Sequence, residues 1–275
     1  MKGGKNYYMK TNLFIGLFII ISASYLIAET EEEKKGFEIM MKNYEQMTTK
    51  NFRTDVRILL IDTDGRVQTR HVKRISQTDD EDQESYFVRF ESPPSVRDTA
   101  LLIIEHNNAE DDIWFYLPSI GKVKRISGAN KRSSYMGTEF SYWDITREKV
   151  KRKEIRYVYL GTETLDGVLH YVIDAFPISE REKTEQGYQK RTLWIRSDNY
   201  LISKARFYDE SGNFLKEFRG YELTKVGNSG KERYARVEMT NNKGVKTVIH
   251  FDLMRINEEP VDPKFFSKAT LEKKR

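Results

Sequence analysis

The sequence contains no cysteine and only four histidines among its 275 residues. Without cysteine the chain has no disulfide, no thiolate nucleophile and no zinc-thiolate site, and it cannot be acylated at a lipobox cysteine. The histidines stand alone in strand-like segments, without a second ligand at the spacing that metal sites use: they are His71, His106, His170 and His250. We therefore expect no metal site and no cofactor.

The usual catalytic signatures are missing as well. There is no G-x-S-x-G, no P-loop and no G-x-G-x-x-G after a strand. The run Asp62-Thr63-Asp64-Gly65 begins like a calcium loop, but the following residues supply neither more oxygen ligands nor a closing glutamate, so we interpret it as a hairpin turn. We expect a protein that is not an enzyme, and a cryptic hydrolase is the weakest hypothesis.

The first 28 residues differ from the rest in charge. Three lysines precede an uncharged stretch over residues 11–28, and acidic residues follow from Glu29. This layout is typical of a secretory signal peptide, and the apolar part is shorter than the roughly 20 residues that cross a bilayer. We predict a signal peptide over residues 1–28, cleaved after Ala28 or at a competing site near Ala23, and export of residues 29–275 to the periplasm.

The net charge after residue 28 also limits which partners the protein can bind. After residue 28 the chain has 44 basic and 42 acidic residues, a net charge of about +2 with the two signs interspersed. Nucleic-acid binding requires a large basic field, so we expect no nucleic-acid partner. No linker rich in glycine, serine or proline divides residues 29–275, and we expect one domain and a monomer.

One amphipathic helix is predicted at the start of the mature chain, over Glu31–Met47. Its apolar residues recur at helical spacing and are mostly methionines, whose flexible side chains adapt to irregular partners. Two interpretations stay open: a helix packed on a sheet, or a lid that faces a ligand. The stripe consists of Phe37, Met40, Met41, Tyr44 and Met47.

From residue 51 onward the apolar residues alternate with a period of two. The pattern predicts about a dozen antiparallel strands joined by turns such as Asp166-Gly167 and Ser211-Gly212. Residues 100–104 and 168–176 are apolar on both faces in part, which indicates strands covered on two sides. We predict a mainly β fold with a few helices, in which a curved sheet wraps around a helix and has further cover outside.

The longest irregular stretch, residues 128–146, carries too much aromatic surface to remain in water. These side chains must therefore be buried against another part of the protein. The residues expected to turn inward are Tyr135, Met136, Phe140, Tyr142 and Trp143.

Residues 119–138 contain five bases. They suggest a solvated strand end or, alternatively, a surface for anionic lipid headgroups or an acidic partner. The bases are Lys122, Lys124, Arg125, Lys131 and Arg132.

Four segments of the chain resemble a known family. They read FESPPSVRDTALLI, DIWFYLPSIGKVKRI, RSSYMGTEFSYWDI and LWIRSDNYLISKARFYDESGNFLKEF. The third is close to the phrase S-F-M-G-T-D-F-S-Y-E-D-L of the outer-membrane lipoprotein-sorting proteins related to LolA. The positions that keep the phrase are Ser134, Met136, Gly137, Thr138, Phe140, Ser141, Tyr142 and Asp144.

The resemblance implies a half-open antiparallel β-barrel of the LolA/LolB type, plugged by an amphipathic helix and a loop or helix lid. It also implies an apolar cavity that shelters the acyl chains of lipoproteins or lipids in transit to the outer membrane. In such a fold we predict that residues 128–146 form a movable cover over the mouth of the cavity, with Gly137 providing the bend; a static core would hide the same side chains. With Trp114 added from the second segment, the expected cavity and lid residues are Phe37, Met40, Met41, Tyr44, Met47, Trp114, Tyr135, Met136, Gly137, Phe140, Tyr142 and Trp143. The alternative function is an accessory module of an inner-membrane lipid exporter of the RND type.

Overall fold

The computed structural model describes residues 29–107, 109–146, 154–227, 229–253 and 259–273. The predicted signal peptide, residues 1–28, lies outside the described residues. Within the described part, no helix is both long enough and apolar enough to cross a membrane.

The first helix, α1, spans Glu31–Met47, as predicted. Thr30 caps it, because its side chain accepts a hydrogen bond from the Glu33 amide while the Glu33 carboxylate accepts one from the Thr30 amide. Three glutamates in the first turn complement the helix dipole. The buried face consists of Gly36, Ile39, Met40 and Asn43. Only part of the predicted methionine stripe therefore lies on the face that packs against the rest of the protein.

Thirteen antiparallel strands follow, and the predicted mainly β fold is confirmed. They are β1 (Asn51–Ile61), β2 (Val67–Thr78), β3 (Glu84–Ser92), β4 (Ala100–Ile104), β5 (Asp112–Leu117), β6 (Lys122–Ile126), β7 (Ile155–Leu165), β8 (Val168–Pro177), β9 (Lys190–Arg196), β10 (Ile202–Tyr208), β11 (Phe214–Lys225), β12 (Glu232–Asn241) and β13 (Lys246–Phe251). The short helices α2 (Glu180–Gln186) and α3 (Lys268–Glu272) were not predicted.

All thirteen strands form one sheet in the order β6-β5-β4-β3-β2-β1-β13-β12-β11-β10-β9-β8-β7. Each half of the sheet consists of consecutive antiparallel strands. At the centre β1 pairs with β13 and joins the two halves, with Ile58 opposite Ile249. The two edge strands, β6 and β7, are not paired with one another among the described residues, so the curved sheet is a half-open barrel. Residues 127–154 connect these two edges.

The concave face carries the main core. Alternate residues of the strands, among them Val72, Leu101 and Ile173, meet α1 and the aromatic residues of the connection. Helix α1 lies against β7 so closely that a Cβ atom on Gly36 would come within 2.5 Å of the Tyr157 carbonyl oxygen. Only glycine allows this approach of helix to strand.

The opposite, convex face of β3 to β5 is covered by the C-terminal segment. Val261, Phe266 and Leu271 pack against a second apolar cluster that includes Phe87 and Leu102. The predicted outer cover is therefore present over β4, whose residues are apolar on both faces. For β8, the expectation of apolar residues on both faces is wrong in part. Asp174 lies on the second face, and its carboxylate binds Lys190 Nζ at 2.9 Å.

Candidate functional site: an apolar cavity in the half-barrel

A cavity of about 400 Å³ lies between the concave face of the sheet, the last turns of α1 and residues 135–146 of the connection. This volume lies in the range of small-molecule sites, roughly 300–1,000 Å³. Most of the wall is aliphatic or aromatic and comes from strands on both halves of the sheet. The apolar wall includes Phe52, Val56, Ile58, Val72, Val88, Leu193, Ala205, Phe207, Phe218, Val237, Met239, Ile249 and Phe251.

One end of the cavity is closed by residues 133–146, which we call the plug. The plug folds back on itself through a bridge between Ser134 and Ser141, and the Tyr135 amide donates to the Phe140 carbonyl at 2.8 Å. The reversal occurs at Met136 and Gly137, whose φ angles are +54° and +74°. Left-handed backbone favours glycine at this bend, as predicted for Gly137.

A buried ion pair holds the plug to the sheet. The Asp144 carboxylate accepts a hydrogen bond from Lys216 Nζ on β11 at 2.6 Å, and both side chains are less than a tenth exposed. The Tyr188 hydroxyl donates to the same carboxylate at 2.9 Å, and the Ser141 amide donates to it at 2.7 Å. Three donors thus compensate the desolvated carboxylate, as a buried charge requires.

Further hydrogen bonds join the plug to other strands. The Glu139 amide donates to Thr247 Oγ1 on β13 at 2.9 Å, and the Tyr86 hydroxyl on β3 donates to the Ile145 carbonyl at 2.5 Å. Arg70 on β2 donates to the Met136 carbonyl, and Asn241 on β12 donates to the Glu139 carboxylate. Contacts to five strands favour a fixed structure over the movable cover that the sequence suggested.

The other end of the cavity lies beside the end of α1. Tyr44 and Met47 line the cavity here, and Met47 is 42 % exposed. The last turn of the helix contains no basic residue, and Lys231 Nζ, from the β11 to β12 connection, instead donates to the carbonyls of Glu45 and Thr48. Met47 is the most exposed residue of the cavity wall, which makes this end the candidate opening.

Ten of the twelve predicted cavity and lid residues fall into three groups. Tyr44, Met47, Tyr135, Phe140 and Trp143 line the cavity. Phe37, Met40, Met136 and Tyr142 belong to the main core or pack against it. Met41 is partly exposed and belongs neither to the cavity wall nor to that core.

Trp114 lies on the wrong face of the sheet for a cavity residue. On β5 the alternation turns Ile113 and Phe115 toward the concave core, and Trp114 and Tyr116 toward the outer cluster. The ring of Trp114 meets the ammonium group of Lys268, at 3.4 Å from the ring centre. The expectation that Trp114 lines the cavity is therefore corrected.

The five bases do not form one basic surface. Lys131 is buried and bonded to Glu110 at 3.1 Å and to Glu185 at 2.9 Å. Arg125 pairs with Asp112, and Arg132 with Glu210. Lys122 and Lys124 remain exposed on the edge strand β6. Because acids neutralise three of the five charges, the predicted headgroup or partner surface is reduced to these two lysines.

Polar residues of the wall were missed from the sequence. Arg74, Glu84, Arg191 and Arg233 line the cavity. Arg74 lies in the strict alternation of β2, two residues after the core residue Val72, and this spacing could have placed it on the concave face. Glu84 is the first residue of β3 and has no comparable signal.

Burial controls the protonation of the tyrosines around the cavity. It raises the pKa of Tyr142 to about 12 and also raises the pKa values of Tyr86 and Tyr135. Like ordinary tyrosines, the three side chains are neutral at physiological pH, and burial keeps them neutral in more alkaline solution as well. Among the described residues, no group of three His, Asp or Glu side chains is placed to hold a metal ion.

Comparisons with known proteins agree with this architecture. A family model described as "uncharacterized protein" matches residues 82–273, more than half of the chain. No curated protein matches the sequence.

Three solved structures share the fold. An outer-membrane lipoprotein-sorting protein domain from Vibrio parahaemolyticus is 25% identical, with a TM-score of 0.79 over 88% of this chain and 100% of that one. A DUF1329 family protein from Desulfovibrio piger is 24% identical, with a TM-score of 0.79 over 88% and 100%. A LolA superfamily protein from Nitrosomonas europaea is 23% identical, with a TM-score of 0.67 over 86% and 98%. The chain therefore belongs to the family whose model it matches, and it shares its fold with outer-membrane lipoprotein-sorting proteins and the LolA superfamily.

Proposed function

We propose that the protein is a periplasmic carrier that binds the acyl chains of lipoproteins or lipids for sorting to the outer membrane. The observation that supports this most directly is the apolar cavity of about 400 Å³ inside the half-barrel. Burial of an acyl chain contributes about 0.8 kcal/mol per methylene, so a long chain binds strongly without polar chemistry. A carrier needs no catalytic group.

The proposed location and cargo have separate support. The signal-peptide pattern of residues 1–28 supports export. The described function of the Vibrio parahaemolyticus relative, lipoprotein sorting, supports lipoprotein as one cargo. In this proposal the protein acts as a monomer, and its cavity shields apolar cargo from water.

Cargo enters beside the C-terminal end of α1. Met47 both lines the cavity and reaches solvent there, whereas the plug end is tied to five strands. The helix end is held by hydrogen bonds from Lys231 and from the Asn43 side chain, which donates to the Tyr200 carbonyl at 2.7 Å. Lys42 also donates to the Tyr200 hydroxyl at 3.2 Å, and the Tyr44 hydroxyl to the Asp82 carbonyl at 3.5 Å. None of these contacts is a buried ion pair like that of the plug, so opening at this end should cost less free energy.

The alternative function, an accessory module of a lipid exporter, relied on the basic stretch and the aromatic loop as a protein surface. In the structure most of these residues make contacts inside the protein, because Lys131 is buried and the aromatic rings of the plug face the core. We therefore favour the carrier.

Native mass spectrometry of protein purified from its own periplasm tests the proposal. A carrier retains the mass of a lipid or lipoprotein. Val237→Trp fills the cavity wall and should abolish this mass, whereas Val67→Trp, at a site 53% exposed, should leave it. Wild-type protein that always appears without bound mass, and that binds no added acyl chain, would contradict the proposal.

A further inference from the structure

An arginine stands in the wall of the apolar cavity. Arg74 lies in the middle of β2 on the concave face, and its side chain is 28% exposed. It is therefore within reach both of the cavity interior and of solvent. This position suits a group that meets the polar end of a molecule whose apolar part lies deeper.

Two aromatic rings hold the guanidinium group. Its central carbon lies 4.7 Å from the ring centre of Tyr86 and 5.8 Å from that of Phe52. Rings near the guanidinium group fix its position by cation–π contact and leave its N–H groups to bind acceptors. The arginine is thus positioned before any ligand binds.

The hydrogen-bonding capacity of Arg74 is only partly used. One terminal nitrogen reaches the Glu84 carboxylate at 3.4 Å, a long contact. The Nε atom is buried and has no hydrogen-bond partner among the described residues. A guanidinium group has five N–H donors in a planar fork that matches a carboxylate or phosphate.

The wall carries more arginines than carboxylates. The arginines are Arg74, Arg191 and Arg233, and the carboxylates are Glu84 and Asp144. Asp144 is already paired with Lys216, at 2.6 Å, so it repels an anion less than an unpaired carboxylate would.

We infer that the cavity binds amphiphiles with an anionic head, a carboxylate or a phosphate, and that Arg74 binds this head while the acyl chain lies along the apolar wall. The inference rests on the proposed carrier function and adds the charge of the ligand to it. Glu84 competes with the head for the guanidinium group and so limits the affinity.

Matched ligands separate the head from the chain. Laurate, dodecyl phosphate and dodecanol share one alkyl chain, and each is titrated as a competitor of an uncharged fluorescent acyl probe. Wild-type protein should bind laurate or dodecyl phosphate at least about tenfold more tightly than dodecanol, the size of effect expected for hydrogen bonds to a charged group. The anion that binds more tightly shows whether the site prefers a carboxylate or a phosphate.

Three variants test the role of Arg74. Arg74→Met keeps the aliphatic stem and should remove the preference for the anions without changing dodecanol binding. Glu84→Gln should increase the preference, which gives a second reading if Arg74→Met folds poorly. Arg57→Met is the control, since Arg57 is exposed on β1 and the variant has the same net charge as Arg74→Met; it should behave like wild type.

The outcomes distinguish the two ideas. Equal binding of all three ligands by wild type, or a preference unchanged in both Arg74→Met and Glu84→Gln, overturns the inference and leaves the carrier function intact. Failure of every ligand to displace the probe, or of the probe itself to bind, overturns the carrier function and the inference with it.

Discussion

The two ends of the cavity are closed in different ways. The plug, residues 133–146, is held by polar contacts: a buried ion pair between Asp144 and Lys216, and hydrogen bonds to five strands. Helix α1 is held in its middle by close packing at Gly36 and Met40, and at its end by hydrogen bonds near solvent, among them those from Lys231.

This difference shows which end can open at low cost. Buried charges separate only with a large loss of free energy, because each must be paired again or solvated. A helix end with exposed hydrogen bonds opens locally with a much smaller cost. We therefore expect the end of α1 to move when cargo enters, and the plug to stay in place.

The largest effect is expected from breaking the ion pair of the plug. Lys216→Met leaves the Asp144 carboxylate buried without its cation, and should lower the free energy of unfolding by about 3–5 kcal/mol, measured by urea denaturation. Lys225→Met, on the exposed end of the same strand, is the control and should change it by less than about 0.5 kcal/mol. Adding Asp144→Asn to Lys216→Met should recover part of the loss. An unchanged midpoint for Lys216→Met would show that the plug is not anchored by this pair.

A second large effect is expected at the middle of α1. Met40 is 1% exposed, and Met40→Glu places a carboxylate in the core, which should cost about 3 kcal/mol of unfolding free energy. The neighbouring residue offers a matched control, because Met41 is partly exposed. Met41→Glu should be nearly neutral. Equal losses in the two variants would mean that α1 packs with a different face.

A smaller effect is expected where α1 meets β7. Gly36→Ala gains helix propensity, but its methyl group would clash with the Tyr157 carbonyl and force the helix away from the strand. We expect a net loss of about 1–2 kcal/mol in thermal unfolding. A variant more stable than wild type would show that α1 does not lie this close to β7.

The smallest effect on stability is expected at the end of α1. Lys231→Met removes the donor to the Glu45 and Thr48 carbonyls and should cost less than about 1 kcal/mol. It should nevertheless speed the uptake of an acyl probe in stopped-flow fluorescence, because the helix end opens more often. Slower or unchanged uptake would argue against an opening at this end.

The strands and α1 were accessible from the sequence because their signals are local. Asp62-Thr63-Asp64-Gly65 forms the predicted hairpin turn, with Gly65 at a φ of +83°, and the period of two continues on either side. The capped helix likewise begins and ends where predicted. Ile39 was missed on its buried face, although it is four residues before Asn43 on the same side.

The site was less accessible, because it depends on contacts between distant residues. Both faces of β5 are apolar, so the sequence could not tell that Trp114 faces the C-terminal segment. From the sequence alone Lys131 is expected on the surface. In the structure α2, a helix that was not predicted, places Glu185 next to Lys131. The family phrase located the plug, but the phrase does not reveal that Asp144 binds Lys216, 72 residues further along the chain.

Amide hydrogen exchange, with and without laurate, tests the central claim most directly. The amides of Tyr135, Tyr142 and Trp143, which are hydrogen-bonded within the plug and its flanks, should exchange as slowly as those of β5, whether or not laurate is present. The last turn of α1, up to Met47, should exchange faster and become protected when laurate binds. Fast exchange in the plug that slows with laurate, together with an α1 end that does not respond, would contradict the account and would make the plug the movable cover.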